Sequence, residues 1–142
     1  MSAVPLVSDE AATEEVAAVY ADIRATRQTE FINNFWRALA LNPALLRETW
    51  ERAKAVMGPG AIDPLTKEMI YVAVSAARGC AYCTHSHTAA ARAKGMTDEQ
   101  HSELLAVMAL AGTTNGLAEA MQVPVDTAFE RHEDAFERRE DD

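Results

Sequence analysis

The 142-residue chain carries 13 Lys and Arg against 22 Asp and Glu, a formal net charge of -9 that no basic cluster offsets. That balance disfavours nucleic acid or an anionic membrane surface as partner. A hydrophobic content of 49% and a mean hydropathy of -0.16 describe a soluble globular chain, long enough to bury roughly 70% of its unfolded surface in a single domain, 1–142.

The N-terminal Met1-Ser2-Ala3-Val4-Pro5-Leu6-Val7 lacks a basic region followed by a long apolar core, so it does not read as a signal peptide. Residues 1–7 are expected to fray. No window reads as a membrane span, and the expected compartment is the cytoplasm. Ser8-Asp9-Glu10 reads as a capped helix start, with Val16, Val19, Tyr20 and Ile23 forming the apolar stripe of a first helix that ends near Arg27. Phe31 to Leu41 is a second helix. Asn42-Pro43 pairs an N-cap with proline at the first helical position and opens a third, through Met57. Gly58-Pro59-Gly60 breaks the chain.

Asp63-Pro64 repeats the cap-plus-proline device. It starts a fourth helix that runs into the Gly79 region, whose Met69 to Ala77 stretch is apolar almost all round and is expected to be central. A fifth helix carries both cysteines and stops at Gly95, a good residue for the left-handed turn after a helix. Thr97-Asp98-Glu99-Gln100 is a capping box for a sixth, which Gly112 to Gly116 is expected to kink or divide. Pro124 begins a seventh, with Phe129 and Phe136 on one side. The end, Glu137 to Asp142, is charged and expected to fray. The fold class is all-α, with about seven helices.

The chemistry concentrates in Arg78-Gly79-Cys80-Ala81-Tyr82-Cys83-Thr84-His85-Ser86-His87. Two cysteines are too few for a disulfide scaffold, so a catalytic or metal pair is the better reading. If Cys80 opens a helix, Cys80, Cys83 and His87 fall on one face. The two cysteine Cα atoms are then roughly 5 Å apart, within reach of a disulfide. Position at the helix N-terminus favours Cys80 as the thiol of lower pKa. Pairing with a base one turn on favours Cys83, whose proton His87 can take. Local physics leaves the choice of attacking sulfur open. If Cys83 is the attacking sulfur, Cys80, expected nearer the surface, is the one an external reductant meets.

Glu68 lies more than three turns upstream and meets the cysteines only if the chain turns back near Gly79. There it would hold a water or accept a proton, with a pKa raised by burial. The plainer reading is an exposed glutamate pairing with Lys67 or Arg78. His85 sits off the cysteine face and reads as a surface or subunit-contact residue, or as a second base. Tyr82 could hydrogen-bond near a substrate or simply pack. His101 and His132 read as solvated helix positions, and Trp36, Trp50 and the methionines as core or subunit contacts.

At Glu68, Cys80, Cys83 and His87 the sequence resembles the alkylhydroperoxidase AhpD-like group of the carboxymuconolactone decarboxylase superfamily. That group's signature is a glutamate, eleven residues, CxxC, three residues and a histidine, all matched here. Asn33 to Leu39, Asn42-Pro43-Ala44-Leu45-Leu46, Gly95 through Glu99, Asn115 and Val123-Pro124 extend the likeness. It implies an AhpD-like multi-helix fold with the CxxC at a helix N-terminus, assembled as a homo-oligomer (trimer or hexamer). It also implies a thiol peroxidase or disulfide reductase without cofactor or bound metal. Cys83 would be peroxidatic, Cys80 resolving, and His87 and Glu68 a base and proton relay, with Tyr82 and His85 possible auxiliaries. The substrate would be a peroxide or disulfide, and electrons would come from a dithiol donor, a lipoyl-bearing or thioredoxin-like protein. The chain departs at Tyr82, where some members carry a histidine; tyrosine does not shuttle protons near neutral pH.

Two other classes compete. One is lactone decarboxylation like that of the superfamily's namesake, which has no need of two vicinal thiols. The other is a non-catalytic metal-binding or redox-sensing module, since Cys80, Cys83, His87 and His85 are suitable zinc ligand types, although one short helical segment is poor geometry for four ligands. Use of the fold only as an oligomeric scaffold has no positive sequence support.

Overall fold

The computed structural model describes residues 2–130; the expectations for His132, Phe136 and the charged end lie outside the described residues. Seven helices and no strand occur among them. The chain divides after Lys67 into two compact units.

In the first unit, α1 (Glu14–Arg27) is capped by Thr13, whose hydroxyl accepts from Val16 N. Glu14 and Glu15 at its start and Arg24 and Arg27 at its end complement the helix dipole. The helix therefore starts more than one turn later than Ser8-Asp9-Glu10 suggests. Ser8 caps only a local turn, its hydroxyl accepting from Ala11 N, and Asp9 is held by Arg24 and Arg37. α2 (Asn34–Leu39) is shorter than its expected span, because residues 31–33 stay outside the helix and Asn33 is its N-cap. α3 (Pro43–Met57) begins as expected, with Asn42 Oδ1 accepting from Leu45 N.

The core of this unit is Val16, Val19, Tyr20 and Ile23 of α1, Ile32, Trp36 and Ala40 around α2, and Leu46 and Trp50 of α3. Trp36 and Trp50 meet edge to face at 5.4 Å, with the Arg27 guanidinium over both rings. The buried Trp50 indole keeps its hydrogen bond by donating to Asp22 at 2.7 Å. Val7 is tied down by Tyr20 Oη and Arg37 Nη1, which both donate to its carbonyl. The end of α3 is closed by Lys67, whose ammonium donates to the carbonyls of Val56 and Gly58, a cation at a helix C-terminus.

α4 (Pro64–Ala77) starts on the Asp63 cap, which accepts from Thr66 N. Past Lys67 it belongs to the second unit, where only Glu68, Val72 and Ser75 of its residues are buried. The expectation of a central, apolar helix is corrected here: Ile70, Tyr71 and Val74 are exposed. α5 (Ala81–Ala93) and α6 (Asp98–Met121) follow. The Thr97–Gln100 capping box forms in full. α6 then runs unbroken through Gly112 and Gly116, since two glycines cost it helix propensity without supplying a turn. Not one residue of α6 is buried. Contrary to the sequence reading, this 24-residue helix is long and apolar enough to cross a membrane by length and composition. α7 (Thr127–Glu130) starts three residues beyond Pro124.

Candidate active site

Two glycine turns build the site. At the first, Gly79 takes φ +70°, where its missing side chain removes the usual penalty. Gly79 N bonds to Ala76 O and Cys80 N to Ser75 O, the paired bonds of a Schellman stop. The chain reverses there, as the Glu68 argument required, and delivers Cys80 as the N-cap of α5. At the second, Gly95 takes φ +95°, Gly95 N bonds to Arg92 O and Met96 N to Ala91 O. Ala91 and Met96 are both buried, the apolar contact that accompanies such a turn. This stop fixes Lys94 as the last residue before the turn.

Cys80 and Cys83 are joined in a disulfide, with Cα atoms 5.4 Å apart. Cys80 Sγ also accepts from Cys83 N at 3.2 Å, so a first-turn N–H points at the N-cap sulfur. Such a donor stabilises negative charge on Cys80. Both cysteines are half-buried.

Glu68 is 5% exposed and reaches α5 with both oxygens. Oε2 lies 2.6 Å from His87 Nδ1, and Oε1 accepts from Lys94 Nζ at 3.0 Å. Neither Lys67 nor Arg78 is its partner. Burial alone would raise the Glu68 pKa, but the hydrogen bonds from His87 and Lys94 and the lysine charge outweigh it. The net shift is downward from the ordinary glutamate value, which corrects the expectation of a raised pKa. An ionised carboxylate only accepts hydrogen bonds. Facing that carboxylate, His87 holds its Nδ1 proton toward Glu68, and in the neutral ring Nε2 then keeps the lone pair.

The Tyr71 ring lies flat on the His87 imidazole, centroids 3.5 Å apart and planes 16° from parallel. It stands one turn along α4 from Glu68, so carboxylate and aromatic clamp the same histidine. The structure thus brings Glu68 and His87 into direct contact and closes Cys80 on Cys83. His87 hydrogen-bonds to Glu68 and to neither sulfur. Tyr82 is on the exposed side of the first turn, and His85 is exposed. His101 is half-buried rather than solvated. No group of three metal-ligating side chains occurs among the described residues.

Sequence reasoning missed Tyr71 and Lys94. A signal existed for each: Tyr71 is three residues from Glu68, and Lys94 is seven from His87, two turns along the same face.

Residues 43–126 match the profile of the carboxymuconolactone decarboxylase family. A solved structure, the alkylhydroperoxidase AhpD core from Rhodospirillum rubrum ATCC 11170, is 61% identical with a TM-score of 0.89, covering 91% of this chain and 97% of that one. The alkyl hydroperoxide reductase AhpD of Solibacter usitatus (strain Ellin6076) is 33% identical over 91 residues, 64% of this chain and 50% of the relative. Uncharacterized protein 4 in the cox locus of Paracoccus denitrificans is 40% identical over 57 residues, 40% of this chain and 51% of the relative. The chain spans about half the length of the curated relatives it matches. Profile and solved structure agree: the chain belongs to the carboxymuconolactone decarboxylase family, in its AhpD-like group.

Proposed function

We propose that this protein is a thiol-dependent peroxidase or disulfide reductase working through Cys80 and Cys83. The observation that carries the reading is the disulfide at the start of α5, one turn before a histidine held by a buried carboxylate. In the reduced protein, His87 Nε2 takes the proton of Cys83, and the thiolate attacks the outer oxygen of the peroxide. The O–O bond breaks, Cys83 becomes a sulfenic acid, and the alkoxide leaves as alcohol with the proton from His87. Cys80, its thiolate favoured by the Cys83 N–H, attacks the sulfenic sulfur; water leaves and the disulfide closes.

A dithiol donor of the lipoyl or thioredoxin type then reopens the bond, leaving as a disulfide and returning both protons. Glu68 is the anionic end of the relay: it stabilises the imidazolium that forms when His87 holds the thiol proton. Tyr82 and His85, both exposed, are the proposed auxiliaries. The relatives named AhpD, an alkyl hydroperoxide reductase and an alkylhydroperoxidase core, support a peroxide as substrate. A second copy of the chain is the proposed cover for α6, in a homo-oligomer working in the cytoplasm.

The test is peroxide consumption with a small dithiol as donor. Cys83→Ser abolishes it while helical content is retained. Cys80→Ser leaves a single turnover that stalls at the sulfenic acid. Undiminished turnover in Cys83→Ser removes the assignment.

The family profile supports one second reading, lactone decarboxylation. Turnover of a carboxymuconolactone by the double Cys→Ser variant, followed in the ultraviolet, would reverse the ranking.

A further inference from the structure

Lys94 has no part in the chemistry above, yet it holds the deepest polar group of the site. Its ammonium is placed by the Gly95 stop of α5 and lies 3.0 Å from Glu68 Oε1. The remaining oxygen, Oε2, is the one that meets His87 at 2.6 Å. We propose that Lys94 is a positioning residue of this site: by taking Oε1 it keeps Glu68 anionic and fixes which nitrogen of His87 faces the reaction as base. The proposal rests on the peroxidase reading and adds a residue to it.

A carboxyl as buried as Glu68 becomes protonated unless charge and donors oppose burial. Once protonated it donates to Nδ1, and the neutral imidazole must then carry its own proton on Nε2. That tautomer has no lone pair left for a thiol proton. Two groups act on the carboxylate among the described residues, His87 and Lys94. His87 must be neutral to act as a base, so only Lys94 can supply a standing positive charge. Lys67, next in sequence to Glu68, is committed to the carbonyls of Val56 and Gly58. Tyr71 touches the imidazole face and offers no charge.

The experiment compares the parent chain with Lys94→Met and Lys94→Arg. The tautomer of neutral His87 is read by nitrogen NMR, and the Glu68 carboxyl is titrated by carbon NMR, both in the disulfide form. In Lys94→Met the Glu68 titration moves up by about one pH unit, and a population protonated on Nε2 appears. Peroxide turnover falls roughly tenfold, a fraction of what a general base contributes. Lys94→Arg restores all three. A His87 that stays protonated on Nδ1 alone in Lys94→Met, or an arginine variant no better than the methionine one, overturns the proposal. The NMR readouts use no peroxide. A parent chain that fails to consume peroxide therefore overturns the peroxidase reading, while the tautomer still decides the role of Lys94.

Discussion

The two units use burial in opposite ways. From residue 7 to 57 the chain closes an apolar core on itself, with Tyr20, Ile23, Leu46 and two tryptophans buried and polar groups kept to the rim. After residue 67 the most consequential buried group is a charge, Glu68, and the longest helix buries nothing. The first region is stabilised by what it removes from water. The second has its buried polarity matched donor for donor, while Val107 and Leu110 of α6 stand more than 60% exposed. Comparison teaches that good caps and good periodicity make a helix, but only a partner surface makes it a core element.

The largest expected effect falls in the first region. Trp50→Ala removes an edge-to-face partner of Trp36 and leaves Asp22 with Lys54 alone. It should lower stability by about 3–5 kcal/mol, measured by denaturant titration with Trp36 fluorescence as the local probe. A loss below about 1 kcal/mol would mean the region is not held by this core.

Next is the charged centre. Because the folded-state pKa of Glu68 lies below its unfolded value of about 4.5, its contribution to stability is present above that value. It is lost as pH falls through the lower folded value. Glu68→Gln should therefore flatten the acid side of the stability curve and weaken the protein near neutrality by about 1–3 kcal/mol. An unchanged acid limb in helix content against pH would contradict the pairing.

The smallest expected effect on folding is on α6. Leu110→Glu, at an exposed position, should change chain stability by no more than about 0.5 kcal/mol. It should nonetheless dissociate a homo-oligomer that covers this face, as read by light scattering. A variant that keeps the parent's mass in solution would place the subunit contact elsewhere.

How much was legible in the sequence follows the same division. Asn42-Pro43, Asp63-Pro64, the Thr97–Gln100 box and the stops at Gly79 and Gly95 are local signals, and each forms as read. The start of α1 was misplaced because Ser8 and Thr13 are both good caps, and Asp9 is used by Arg24 and Arg37 instead. Tertiary pairing chose between them. The Cys80, Cys83 and His87 face was legible from spacing, and the Glu68 to His87 contact from the family signature. Lys94 shares the His87 face by spacing, but a lysine at a helix end is ordinarily a solvated cap, and only the buried oxygen opposite gives that spacing its meaning. The exposure of α4 and α6 was illegible for a different reason: apolar sequence predicts burial without saying against what.

The central claim is that Cys80 and Cys83 form a reversible bond driven by a hydroperoxide. Its most direct test is the mass of the fully reduced chain before and after one equivalent of peroxide. The expected result is the loss of two hydrogens, mapped to a single peptide holding Cys80 bonded to Cys83 and reversed by a dithiol. A chain that keeps both thiols free, or that gains oxygen at Cys83 without closing the bond, would contradict it.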